Sequence, residues 1–226
     1  MTSNDSRPDG LARQLERART LAAGVLAGGV VHEFANLLTV VDGMRQMEMI
    51  APETPTRAGI LSGPSERCQS LVESFRHLFS HRGATPPAGP VVQDLDCFHS
   101  MLKIHLRGCP TRIEVDGAAT EARLLDGGTG VLLRPAFLCG LLGVIEGGRV
   151  QGRVPELIRI GGLGTEDQGH GFVADFGAPV RTDAASDPSL AELLLGATSE
   201  LTESAGGRLI TPNGTGQGRL SVELET

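Results

Sequence analysis

The placement of proline constrains this chain most. Residues 11–50 contain none, and Pro52 and Pro55 then follow almost together. Proline has no amide to donate and its ring clashes with the preceding turn, so it marks helix ends. The pattern predicts one long helix over 11–50 and a second over 56–82. The second carries Ile60, Leu61, Cys68, Leu71, Val72, Phe75, Leu78 and Phe79. Pro64, early in that segment, predicts a kink or a later start. Residues 83–90, Gly-Ala-Thr-Pro-Pro-Ala-Gly-Pro, have linker composition. Two helices with a short connection make an antiparallel hairpin. One hairpin cannot bury both of its faces, so two copies closing into a four-helix bundle is the expected solution. Residues 1–10 are polar and are expected to be a disordered tail.

The remainder, 91–226, changes character and reads as a second domain of alternating element types. Residues 92–107 have helical periodicity through Leu95, Phe98, Met101, Leu102, His105 and Leu106. Short strands are predicted at 112–115 and 121–125, then an apolar helix at 135–145 with Pro135 in its first turn. Residues 156–160 and 171–175 form a strand pair. Asp187-Pro188 opens a further helix that ends near Gly206-Gly207. The stretches 208–211 and 219–225 close a hairpin across Pro212-Asn213-Gly214. The fold class is α+β, with helices covering one face of a mixed sheet.

Composition narrows the function. The 226 residues carry a net charge of -7 and a single lysine, Lys103, with dispersed arginines. No basic stripe suits a phosphate backbone, so nucleic acid is not expected as a partner. Cys68, Cys97, Cys109 and Cys139 show no CxxC spacing, so buried free thiols are expected and no metal is. No signal peptide is evident, and no apolar stretch was expected to span a membrane. The chain is expected to be cytoplasmic.

Within the long helix, residues 32–39 read His-Glu-Phe-Ala-Asn-Leu-Leu-Thr. On a wheel of 100° per residue, Ala23, Val30, Phe34, Leu37, Val41 and Met44 cluster opposite His32 and are expected to be its buried stripe. Around His32 stand Val25, Gly28, Gly29, Ala35, Asn36, Thr39 and Gly43, nearly all small. Mid-helix glycines cost about 1 kcal/mol each against alanine. Close approach by a partner is one reason for a chain to carry them. A neutral imidazole is a nucleophile near neutral pH and its N-phosphoryl form is a reactive donor. An adjacent carboxylate can take the proton of the other ring nitrogen, and an amide four residues on shares the face and can position a water. A surface histidine on a core helix, with no chemistry, is the bland alternative.

The run 28–41, Gly-Gly-Val-Val-His-Glu-Phe-Ala-Asn-Leu-Leu-Thr-Val-Val, closely resembles the H-box of sensor histidine kinases, especially the hybrid kinases. The resemblance implies that His32 is the phospho-acceptor, Glu33 its acid/base partner, and Asn36 the position associated with phosphatase activity. From the small-residue face around His32, Gly28, Gly29, Ala35, Thr39 and Gly43 are the residues expected to meet the partner. The hairpin, 11–82, is similar to the family's dimerisation and phosphotransfer domain. Residues 91–226 resemble its α/β-sandwich ATP-binding domain.

The departures bear on the activity. In the kinases an asparagine on the helix matching 135–145 holds magnesium on ATP. This chain has only Asn4, Asn36 and Asn213, and Gly140, Gly143 and Val144 stand on that helix. The Asp-x-Gly-x-Gly box is reduced to Asp175-Phe176-Gly177-Ala178-Pro179, with Asp175 able to remain an adenine-reading aspartate. Room for an ATP lid is missing after it. Gly214-Thr215-Gly216-Gln217-Gly218 and Gly161-Gly162-Leu163-Gly164 precede strands, whereas a phosphate loop needs a helix N-terminus behind it. His77 and His81, spaced i, i+4, lack a third ligand.

The expected function is therefore a homodimeric histidine phosphotransferase that exchanges phosphoryl groups with receiver domains. It would have no cofactor of its own, and magnesium would sit on the receiver. The alternatives are an active kinase with a diverged ATP site, a receiver-binding phosphatase or regulator, and a plain dimeric scaffold.

Overall fold

The computed structural model describes residues 7–50, 58–79, 89–116, 124–125, 127–163, 170–184, 186–212 and 217–224. Helix α1 runs Arg7–Ile50 and α2 runs Ala58–Phe79. The first helix thus begins inside the segment expected to be a disordered tail. His81 and the linker up to residue 88 lie outside the described residues. Pro64 is accommodated within α2.

After the hairpin come β1 (Gly89–Pro90), α3 (Val91–His105), β2 (Arg112–Val115), β3 (Leu124–Leu125) and α4 (Gly127–Val150). They are followed by β4 (Arg153–Pro155), β5 (Leu157–Leu163), β6 (His170–Phe176), β7 (Pro179–Arg181), α5 (Pro188–Ser204), β8 (Gly207–Ile210) and β9 (Gly218–Leu224). The main sheet is mixed, in the order β2-β5-β6-β9-β8, with β2 parallel to β5 and the other pairs antiparallel. The structure is α+β, as the element pattern predicts. The expected strand pair is β5 with β6, and β8 and β9 are the closing pair. The turn between them, 213–216, lies outside the described residues.

Pro135 is not at a helix start but inside α4, which begins at Gly127. The glycines that open this helix hid its true beginning, since they read as turn formers. The start of α5 is as expected. Asp187 is its N-cap, and the carboxylate accepts from the Ser189 backbone N–H at 2.9 Å and from its hydroxyl at 2.7 Å. Gly206, at φ +75, releases the chain from the other end.

The core lies between the sheet and α3, α4 and α5. Phe98 of α3, Phe137 of α4 and Phe172 of β6 are fully buried and form a triangle with ring centroids 5.1–5.2 Å apart. Such inclined contacts add to the burial itself. In a chain with no Trp or Tyr, this triangle ties the helical layer to the sheet.

The stripe that α1 buries differs from the one the wheel suggested. Ala18, Ala22, Leu26 and Leu37 are buried, whereas Val41 is exposed and Ala23, Val30, Phe34 and Met44 are half-buried. The reason is tertiary. The first half of α1 packs on α4 and α5. The Cys139 thiol donates to the Ala18 carbonyl at 3.0 Å, and Arg17 pairs with Glu200 at 2.6 Å. Small residues let α1 approach closely, so alanines rather than the larger apolar residues mark its contact face.

Two helical stretches, Gly10–Met47 and Gly128–Val150, are long and apolar enough to cross a membrane by length and composition, where the sequence reading expected none. Alanine, glycine and valine raise the apolar score of both. The second is mostly buried within the fold.

Candidate functional site

His32 lies near the middle of α1 and its side chain is exposed. Gly28 and Gly43 on the same helix face open space, since a Cβ built on either meets nothing within 4 Å. Ala35 and Thr39 are exposed, and the Thr39 hydroxyl donates to the Ala35 carbonyl at 2.9 Å. That bond ties the hydroxyl to its own helix. The small-residue face around His32 is thus open along much of its length.

Two residues of the motif are engaged by the chain itself. Gly29 lies against Ile104 of α3, whose Cγ2 would be 2.8 Å from an added Cβ. Glu33, half-buried, accepts a hydrogen bond from Arg107 just beyond α3, Nη1 to Oε2 at 2.6 Å. Glycine at 29 is what lets α3 come close enough for this pair. Asn36 is half-buried, and its Nδ2 is buried with no hydrogen-bond partner. A buried amide donor left unsatisfied costs free energy, so Asn36 is a locally unfavourable element of this helix.

A buried carboxylate with two nitrogen partners joins α2 to the helices behind it. Asp94 of α3 is completely buried, and His77 of α2 and Arg134 of α4 both direct N–H groups at its Oδ1, the latter at 2.6 Å. His77 is therefore committed to a carboxylate and not poised for metal. Among the described residues no cluster has metal-ligand composition. A second network joins His105 to Glu146 at 2.7 Å and Arg149 to Glu146 at 2.7 Å. Arg149 also donates to the His105 carbonyl at 2.9 Å. Burial would raise the Glu146 pKa, but the hydrogen bond from His105 and the charge of Arg149 outweigh it and hold the carboxyl at about 2.

Sequence reasoning missed these partners. For Arg134 a signal existed, because it interrupts the apolar run 131–145, where a charge must be paired to be buried. For Arg107 nothing local distinguished it from the other dispersed arginines. The two buried thiols, Cys97 and Cys139, are held protonated. Burial raises Cys97 to about 11 and Cys139 to about 12, and all four cysteines are free.

The glycines of α4, where the sequence reading looked for a nucleotide site, are packed. A Cβ on Gly143 would lie 2.8 Å from Leu195 Cγ of α5, and one on Gly140 would lie 3.2–3.3 Å from Leu220 and Thr198. Asp175 on β6 faces Arg219 across the β6–β9 pair and takes two hydrogen bonds from it, at 2.8 and 3.2 Å. Both carboxylate oxygens of the one aspartate expected to read adenine are thereby engaged.

No protein-family profile matches this chain, and no curated protein matches it. Solved structures do. A structure described as a bacterial phosphotransferase is similar over 88% of this chain and 93% of its own, at 13% identity and a TM-score of 0.43. The Acinetobacter baumannii histidine kinase AdeS is similar over 86% of this chain and 98% of its own, at 12% identity and a TM-score of 0.38. Full-length ShkA, solved in complex with AMPPNP, is similar over 87% of this chain and 44% of its own, at 18% identity and a TM-score of 0.38.

Proposed function

We propose that this chain is a histidine phosphotransferase of a two-component phosphorelay, in which His32 exchanges a phosphoryl group with receiver-domain aspartates and no ATP is used. One observation carries the reading. His32 is exposed on a helix face that Gly28 and Gly43 leave open, whereas the helix that would hold magnesium–ATP has glycines packed against Leu195, Leu220 and Thr198. A magnesium–nucleotide complex does not suit that second surface, since no asparagine stands there and Asp175 is occupied by Arg219.

On this reading the imidazole lone pair attacks the phosphorus of an aspartyl phosphate. The N–P bond forms as the P–O bond to the aspartate breaks, and the carboxylate leaves with the electron pair. Glu33 is assigned the proton of the other ring nitrogen. The receiver supplies the magnesium, which offsets charge on the phosphoryl oxygens. The second domain then serves as docking and structural support. A second copy closing on the hairpin belongs to the same reading. Val31, Leu38, Val40, Val41, Met47 and Val72 are all exposed there, and Leu37, Leu38, Val41, Pro64, Cys68 and Val72 help line a groove of about 500 Å³ between α1 and α2. A cytoplasmic location goes with receiver partners.

The unsatisfied Asn36 amide favours one further reading, a regulator that dephosphorylates receivers. Separate substitutions decide between the two. If His32→Ala abolishes phosphoryl uptake from a phosphorylated receiver, the relay stands. If His32→Ala leaves receiver dephosphorylation intact and Asn36→Ala alone removes it, the regulator replaces it.

A further inference from the structure

Between α1, α2 and α3 lies a second cavity, of about 350 Å³, separate from the hairpin groove. Its charged and polar lining is Glu33, Arg67, Ser70, Ser100, Lys103 and Arg107, over an apolar floor of Leu71 and Ile104. Three cations face one carboxylate here, in a chain whose net charge is -7 and whose only lysine is Lys103. Arg107 already spends a hydrogen bond on Glu33. Among the described residues, Arg67 and Lys103 form no ion pair, and the Arg67 guanidinium makes one long hydrogen bond, 3.4 Å, to the Gly63 carbonyl of its own helix. The Ser100 hydroxyl donates to the Asp96 carbonyl of its own helix at 2.8 Å. Local positive charge in excess, the Ser70 hydroxyl and concave walls from three helices make a receptor for oxyanions.

We infer that this cavity binds a small soluble molecule bearing phosphate or a comparable oxyanion, and that the bound anion competes with Glu33 for Arg107. The volume is larger than a bare phosphate requires and falls within the range of small-molecule sites. The apolar floor would meet the body of the molecule, while Arg67, Lys103 and Ser70 hold the anionic end. The Glu33 carboxylate occupies part of this basic lining, so an incoming anion either displaces it or draws Arg107 away from it. Either movement frees the residue next to His32. Coupling to His32 rests on the phosphotransfer reading, but anion binding does not.

The experiment uses the full-length protein and inorganic pyrophosphate, titrated calorimetrically without divalent metal, with sodium chloride of matched ionic strength as control. The expected result is saturable binding at one site per chain, weakened at least tenfold in Lys103→Gln and in Arg67→Gln. Both side chains are at the surface of the cavity, and a thermal melt of each variant confirms that the fold is retained. No saturable binding, or binding that the two variants leave unchanged, would overturn the site. The second arm measures phosphoryl uptake by His32 from a phosphorylated receiver with and without pyrophosphate. A change of threefold or more that Lys103→Gln abolishes supports the coupling, and an unchanged rate with pyrophosphate bound overturns it. Binding without any uptake under any condition would leave the anion site standing and remove the phosphotransfer reading. If Lys103→Gln weakens receiver docking while pyrophosphate does not bind, the cavity belongs to acidic groups of the protein partner and the proposal fails.

Discussion

Glycine does opposite things in two helices of this protein. On α1, Gly28 and Gly43 face nothing, and the helix face carrying them and His32 is open, while Gly29 packs on Ile104. On α4, Gly140 and Gly143 are filled to contact distance by Leu220, Thr198 and Leu195. The residue type that leaves one surface open lets the other close. The difference separates an open surface from a packed one, and the proposed phosphotransfer puts its chemistry on the open one. The α4 surface carrying Gly140 and Gly143 is part of the core.

That comparison can be broken or sharpened by substitution. The largest effect is expected at the junction between the two regions. Asp94→Ala leaves Arg134 and His77 directed at a missing carboxylate inside the core, and removing one partner of a buried pair costs about 3–5 kcal/mol. Thermal unfolding should report a large loss, and a change smaller than about 1 kcal/mol would show that the network is replaceable by water.

Acid should act next, through Glu146. Its folded pKa of about 2 lies below the usual value of 4.5, so its contribution is complete above the unfolded pKa and is lost as pH falls from there through about 2. The total is roughly 3 kcal/mol. Melts of the wild type and Glu146→Gln over that window should differ in slope, with the variant flatter. Parallel slopes would mean that other carboxylates govern acid unfolding.

Gly143→Asn restores the residue type the kinases use at the closed surface. Overpacking against Leu195 is expected to cost about 1–3 kcal/mol with no gain of ATP binding. Nucleotide binding by this variant would show that the surface is closed only by sequence and not by packing. The smallest effect has the opposite sign. Gly28→Ala should stabilise α1 by about 0.5–1 kcal/mol, because no atom lies near the added methyl. If the open face admits a partner closely, the same variant loses phosphoryl transfer while gaining stability.

Much of the architecture was legible. Pro52 and Pro55 separated the hairpin helices, Asp187-Pro188 announced α5, and the β5–β6 pairing followed from strand patterning. The His-Glu-Phe-Ala-Asn run located the candidate site. What was not legible depends on contacts between distant segments. A helical wheel ranks apolar faces by side-chain size, so it favoured Val41 and Met44, whereas α1 docks on α4 through Ala18 and Ala22. Pro135 looked like a helix start because the glycines before it resemble a turn. The pairing of Arg107 with Glu33 joins residues on separate helices, and neither carries a local mark of the other.

The most direct test incubates the protein with radiolabelled ATP and magnesium, and in parallel with a receiver domain already carrying labelled phosphate, using His32→Ala as control. The account predicts label on His32 from the receiver, none from ATP, and none in the variant. Label on His32 from ATP alone would contradict it, because the closed α4 surface would then be supporting a working kinase.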